Sequence, residues 1–379
     1  MQLQLPRGVR ALGFSAGLLA AAFGSTAAAE TGAQLELTPV TIAQEDVGRV
    51  VRSASGEITL QLPNAIASPN AEGAPTARVV AAAGQSLVLG ERGAHYGVLT
   101  HRDAAADFAP AERFELRTAD GALLWSVEQT DDVAFAIAPC GVVVGMQLNV
   151  NVPERNALHF YAAGSRVASV AVPNLLGGRF DPDGRIFLAQ SATEGLIACD
   201  LAGAQLWRRP AARLYAAAAG AGTVALIAEA RLEIVRDGRL IASAPLGDLL
   251  ARRLAIAPDG TRIALVSRDE LRVYRTGDLA LLWTERLASP ELAFTAVDVA
   301  ADDGWLLAGV ARDLGTGDPR YERHPDGEIR VYDAAGELRQ VANLRFPIWN
   351  IWTPTARIDR DGQAATITTR RAVYRAQLP

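Results

Sequence analysis

One stretch limits what this chain can fold into more than any other: residues 253–283, RLAIAPDGTRIALVSRDELRVYRTGDLALLW. It reads as four short β-strands joined by tight turns. Leu254 and Ile256 run into an Ala-Pro-Asp-Gly turn at 257–260, and Ile263 and Leu265 lead out of it. A polar break at 267–269 precedes Leu271, Val273 and Tyr274, then a Thr276-Gly277 turn and a strand ending at Trp283. Branched and aromatic side chains suit a pleated, half-buried surface, and Gly, Asp and Pro supply the backbone angles that reverse the chain.

The unit recurs. Its first turn is marked by Gly93, Gly141, Gly184, Gly222, Gly260, Gly304 and Gly362, about 40 residues apart, with the widest gap before Gly362. A second series, Gly121, Gly164, Gly203, Gly238, Gly277 and Gly336, marks a later turn. In three units a Leu-Trp pair follows it, at Leu124-Trp125, Leu206-Trp207 and Leu282-Trp283, and the shared position marks these tryptophans as packing residues. A lone four-stranded unit leaves an apolar face bare, and stacking copies in a ring covers it. The seven units predict an all-β fold, a seven-bladed β-propeller of four-stranded antiparallel blades closed by an N-terminal strand. After Gly362 only residues 364–368 and 372–377 read as strands, so the last blade needs an outer strand from elsewhere. Residues 35–42 and 57–62 both read as strands, and 57–62 is the better candidate for closure. The expected organisation is a signal peptide at 1–29, a segment at 30–78 closing the ring, with N-terminal strands and a Pro, Asn and Gly-containing connector at 65–76, and the propeller at 79–379.

FDPDGRIFLA at 180–189 and IAPDGTRIALV at 256–266 resemble the first hairpin of WD40-like and TolB-like propeller repeats. LRTADGALLW at 116–125 and CDLAGAQLW at 199–207 resemble the strand–Gly–Trp portion of quinoprotein-type repeats. The resemblance covers residues 80–379 and is generic, since the Gly-His and Trp-Asp pairs of true WD40 repeats are absent. It implies the fold. Quinone-cofactor enzymes of this resemblance have eight blades, a calcium site and a vicinal cysteine pair, none of which the sequence displays.

The N-terminus reads as an export signal: Arg7 and Arg10, an apolar run at 11–24, and Ala27-Ala28-Ala29 as a cleavage site before Glu30. No later apolar stretch is long enough to span a bilayer, so the mature protein is expected to be periplasmic or secreted, with no membrane span. Half the residues are hydrophobic, enough for a large core. The net charge of −5 argues against nucleic acid, which needs a basic face. All 37 basic residues are arginine, which removes every mechanism built on a lysine nucleophile, a Schiff base or a phosphate-loop lysine. Cys140 and Cys199 are expected as two buried free thiols rather than a disulfide.

Catalytic signatures are missing. Gly13-Phe14-Ser15-Ala16-Gly17 fits the hydrolase elbow but lies in the apolar leader rather than at a strand–helix turn. His95, His101, His159 and His324 form no zinc spacing, and no metal site or cofactor is expected. Asp-Pro-Asp-Gly at 181–184 and residues 359–362 lack the remaining ligands of a calcium loop.

Loop length is the better functional signal. Between the two glycine markers lie the second strand, a loop and the third strand, and three units carry insertions there: HRDAAADFAPAER at 101–113, NVNVPERNA at 149–157 and RDLGTGDPRYERHPDG at 312–327. In a propeller these loops share one face with the connectors between blades. In a seven-blade ring the elaborated units, with the 346–352 connector FPIWNIW, would form one contiguous arc. The expected contacts are Arg102, Asp103, Phe108, Glu154, Arg155, Arg320, Tyr321, Arg323 and His324, with Trp349 and Trp352 as aromatic anchors, because Arg, Tyr and Trp are enriched at binding hot spots. This favours a non-catalytic exported module for a protein or glycan partner. Two readings stand beside it: a quinoprotein-like oxidoreductase or the propeller subunit of an amine or alcohol dehydrogenase complex, and a hydrolase or lyase using carboxylates in the central channel.

Overall fold

Turn chemistry and strand alternation produce eight four-stranded units rather than seven. The computed structural model describes residues 33–43, 47, 49–52, 57–101, 110–149, 151–219, 222–301, 304–312, 326–345, 355–359, 362–369 and 372–379. Their strands form eight sheets, each a four-stranded antiparallel blade, one of them extended by a short parallel strand. Blades 1 to 7 span residues 49–80, 85–128, 134–171, 175–209, 212–245, 253–286 and 292–345, and blade 8 combines 355–377 with Leu37–Ile42.

The additional blade corrects the sequence reading. Residues 57–62 do not close the ring; Ile58–Leu62 is the second strand of blade 1, paired with Arg49–Arg52 on one side and Ala65–Pro69 on the other. Residues 65–76, expected as a connector, supply the third strand, a turn and the start of the fourth. Their prolines misled because proline cannot donate to a sheet ladder, yet Pro75 opens the outermost strand, where an edge tolerates it. Closure falls to Leu37–Ile42, antiparallel to Ala372–Gln377, with Leu37 opposite Ala376. Just before it, Ala33–Gln34 runs parallel to the outer strand of blade 7, and the Leu35 N–H donates to the Val341 carbonyl at 2.9 Å. Residues 33–42 thus staple the rims of blades 7 and 8.

The core is a set of seams between blades. Leu60 meets Val373 between blades 1 and 8, and Ile66 meets Leu87 and Leu89 between blades 1 and 2. Phe114 stacks on Phe135 at 4.5 Å between blades 2 and 3, and Phe160 meets Phe187 edge-on at 6.2 Å between blades 3 and 4. Leu226, Leu265, Val310 and Ile367 belong to the apolar clusters of the four remaining seams. Each such side chain contributes about 1.5–3 kcal/mol by leaving water.

The rim is blunted. Outer strands carry one unpaired extra residue at the same place in every blade: Arg78, Leu124, Val167, Leu206, Ile241, Leu282, Arg339 and Val40. Bulges twist an edge away from foreign strands. In three blades the next residue is Trp125, Trp207 or Trp283, turned against the following blade near Gly164, Gly238 or Gly336. The packing role expected of these tryptophans follows from that contact. Both cysteines are free; Cys199 is buried as expected, but Cys140 is exposed.

Candidate binding face

Strand order decides which loops can act together. In each blade the first strand lies nearest the axis, and first strands of several neighbouring blades touch, as 253–256 touches both 212–217 and 292–299. Loops joining second to third strands therefore share one face with the connectors between blades. The three insertions fit this rule: the chain leaves at His101 and returns at Ala111 in blade 2, leaves at Gln147 and returns at Ala157 in blade 3, and leaves at Arg312 and returns at Asp326 in blade 7.

Eight blades correct the expected arc. Blades 2 and 3 are neighbours, but blade 7 is separated from blade 2 by blades 8 and 1. The corresponding loop of blade 1 is only Pro63-Asn64, between Ile58–Leu62 and Ala65–Pro69. The elaborated loops share a face but do not form one unbroken arc.

Arg102, Asp103, Phe108, Arg320, Tyr321, Arg323, His324, Trp349 and Trp352 lie outside the described residues. Glu154 and Arg155 are described and exposed. They sit on a single 3-10 turn, Pro153–Arg155, opened by a proline whose missing N–H costs nothing at a first helical position. Asn149 Oδ1 accepts from the N–H groups of Asn151 and Val152, and the Asn149 N–H donates to Asn156 Oδ1 at 2.6 Å. The Asn174 N–H donates to the Pro153 carbonyl at 2.7 Å, which fixes this turn beside the entry to blade 4.

There the inner wall opens into a pocket of about 230 Å³, lined by Leu176, Gly177, Gly178, Arg179, Gln190 and Tyr215. Leu175–Phe180 and Ala212–Ala217 are the innermost strands of blades 4 and 5. Each carries a bulge, at Leu176 and at Arg213, and both of these side chains are exposed. The Arg179 guanidinium lies over the Tyr215 ring, 4.8 Å from its centroid, and Nη2 donates to the Tyr215 carbonyl at 3.0 Å. Gln190 Nε2 donates to the Arg213 carbonyl at 2.6 Å. Burial pushes the Tyr215 phenol up against the opposing pull of Arg179, so the phenol stays neutral and donates to the Leu188 carbonyl at 3.3 Å. Sequence reasoning missed this pocket. Its one legible signal was Gly177-Gly178 within a strand, which marks a bulge or a bare stretch of backbone.

Two other features bear on catalysis. Ser86 Oγ and His101 Nε2 are 2.9 Å apart in blade 2, but no described residue orients the second ring nitrogen as a nucleophile's base requires. Asp298 is the one acid among the described residues of the innermost strands. Burial raises its carboxyl to about 6, against the Ile358 N–H, which donates to it at 2.7 Å, and the nearby Arg357. Among the described residues no group of three His, Cys, Asp or Glu side chains is arranged to hold a metal ion.

The fold is that of a generic WD40-like β-propeller. It is similar to the C-terminal WD40 domain of Sif2, with a TM-score of 0.61 at 10% identity over 92% of this chain and 99% of that one. BamB from Moraxella catarrhalis gives 0.59 at 14% identity, over 90% and 100%. Kluyveromyces lactis Hsv2 gives 0.51 at 10% identity, over 75% and 89%. At these identities the likeness is one of fold. No protein-family model and no curated protein matches the chain.

Proposed function

We propose that this chain is an exported, non-catalytic propeller that docks a protein or glycan partner on the face bearing the second-to-third-strand loops. The observation that carries the reading is that the insertions of blades 2, 3 and 7 all leave by that face, whereas blade 1 makes the same connection with two residues. Similarity in fold to a WD40 domain and to BamB accords with an interaction module. Export rests on the leader at 1–29, and no helix among the described residues is long and apolar enough to cross a membrane.

With no lysine, amine-directed cross-linkers find almost no target. A photo-reactive amino acid placed at Arg102, Arg155 or Arg320 is the suitable probe, with Arg239, at the opposite end of its blade, as control. Cross-links to one partner from the loop positions and none from Arg239 are expected in cells of the source organism. Equal yields at all four positions would discard the docking face. An intact mass starting at Glu30 would establish the leader, and a retained Met1 would remove it.

One observation favours a second reading. The eighth blade supplies one of the three features that the quinoprotein-type resemblance implies. The cysteines remain apart from a vicinal pair, and the described carboxylates offer no calcium cluster, so the binding module is the better supported.

A further inference from the structure

We propose that the pocket between blades 4 and 5 seats a carboxylate carried by an extended acidic segment of the partner. The inference deepens the docking function proposed above and rests on it.

Charge gives the first argument. Among the described residues the innermost strands carry Arg49, Arg179, Arg213, Arg253 and Arg357 against the single acid Asp298, in a chain whose net charge is −5. Positive charge is therefore concentrated around the axis while the molecule as a whole is acidic. Arg49 is already paired with Glu91. Arg179 is exposed and lines the pocket, Arg213 is exposed on the neighbouring strand, and none of the six lining residues is acidic.

Geometry gives the second. A guanidinium binds carboxylate best when its planar fork is held in place before the ligand arrives. Arg179 is held twice, by the Tyr215 ring beneath it and by the bond from Nη2 to the Tyr215 carbonyl. Gln190, itself a lining residue, donates to the Arg213 carbonyl and so ties the strand that carries Arg213 to the pocket.

The rest of the pocket suits a polypeptide better than a polyanion. Leu176, 63% exposed on its bulge, offers an aliphatic contact beside the cations. At Gly177 nothing lies within 4 Å of where a Cβ would stand, so the backbone is open. Both strands are the inner edges of their sheets and pair on one side only, leaving main-chain groups for an extended segment. A phosphate polymer would use the arginines alone and leave the aliphatic contact and the open strand edges unused.

The test is fluorescence polarisation of the full chain with labelled, N-acetylated hexapeptides alternating Leu and Glu, each with a free and an amidated C-terminus, and their Leu/Gln counterparts. The Glu peptides are expected to bind at least tenfold more tightly than the Gln peptides. Arg179→Gln should erase that difference, Arg179→Lys should restore part of it, and Arg213→Gln should reduce it in a protein whose circular dichroism is unchanged. Binding of free and amidated forms alike would assign a side-chain carboxylate; binding of the free form alone would assign a C-terminal one. Equal binding of Glu and Gln peptides, or full displacement by an equal concentration of inorganic phosphate, would overturn the proposal. If the unsubstituted protein forms photo-cross-links at Arg155 but shows no preference for Glu over Gln peptides, this inference fails and the docking face stands. If cross-links at Arg155 are absent in the unsubstituted protein, the docking face itself fails.

Discussion

Gly336 lies against the indole of Trp283 in the preceding blade, so closely that a Cβ there would come within 2.5 Å of Cδ2. Gly336 also has φ +86°, a region costly for any side chain. The two markers read separately along the chain, the turn glycine and the tryptophan, are thus partners across a seam. Gly336→Ala must both strain the turn and tilt an indole packed on Tyr332 at 5.6 Å. The expected loss is about 1–3 kcal/mol in urea unfolding. Gly277, the matching turn of blade 6, meets no atom within 4 Å, so Gly277→Ala should stay within about 0.5 kcal/mol.

A buried polar cluster pins blade 3. The fully buried Asp132 carboxylate accepts from Tyr161 Oη at 2.6 Å and lies 2.8 Å from His159 Nδ1. Burial and that carboxylate together push the Tyr161 phenol far up. Tyr161→Phe leaves the ring packing but removes a bond to a charged acceptor, at an expected cost of about 1.5–3 kcal/mol. Gly145→Ala should cost more, because its Cβ would fall 2.2 Å from Asp132 Oδ2 and drive the carboxylate off both partners. Equal losses in calorimetry would show that Asp132 has room to move.

Asp298 sets a pH dependence. Its folded carboxyl titrates near 6 against 3.8 for the ordinary group, so the folded state holds the proton more tightly. Stability from this group is highest below about pH 4 and declines as pH rises to about 6. Asp298→Asn keeps an oxygen acceptor for the Ile358 N–H without the desolvated charge. It should raise the Tm above about pH 6 and flatten that decline. A variant less stable at neutral pH would mean that the Arg357 attraction outweighs desolvation.

The staple at 33–42 should behave as a separable part. A chain lacking it leaves the edge of Ala372–Gln377 unpaired and exposes the seam of blades 7 and 8, and its Tm should fall markedly. A synthetic peptide of residues 30–48 added in trans should restore stability in proportion to the logarithm of its concentration. If truncation leaves the Tm unchanged, ring closure does not depend on Leu37–Ile42.

The strands, turns and repeating unit were legible because they rest on local physics. Alternation, β-branched residues and turn glycines act within a few residues of one another, and 253–283 displays them all. Blade number and closure were decided elsewhere. Residues 35–42 and 57–62 carry equivalent strand patterns, and only the competition for the free edge of Ala372–Gln377 separates them. Pro39, tolerated on an outermost strand, was the one local hint. Loop insertions were visible in the spacing of the glycines, and so was the face they share. The seating of Arg179 over Tyr215 was not, because it joins residues of two blades through a cation–aromatic contact and a main-chain bond that appear only once the ring has closed. Sequence determined what each unit is; tertiary packing decided how many there are, which strand completes the last, and where two of them make a pocket.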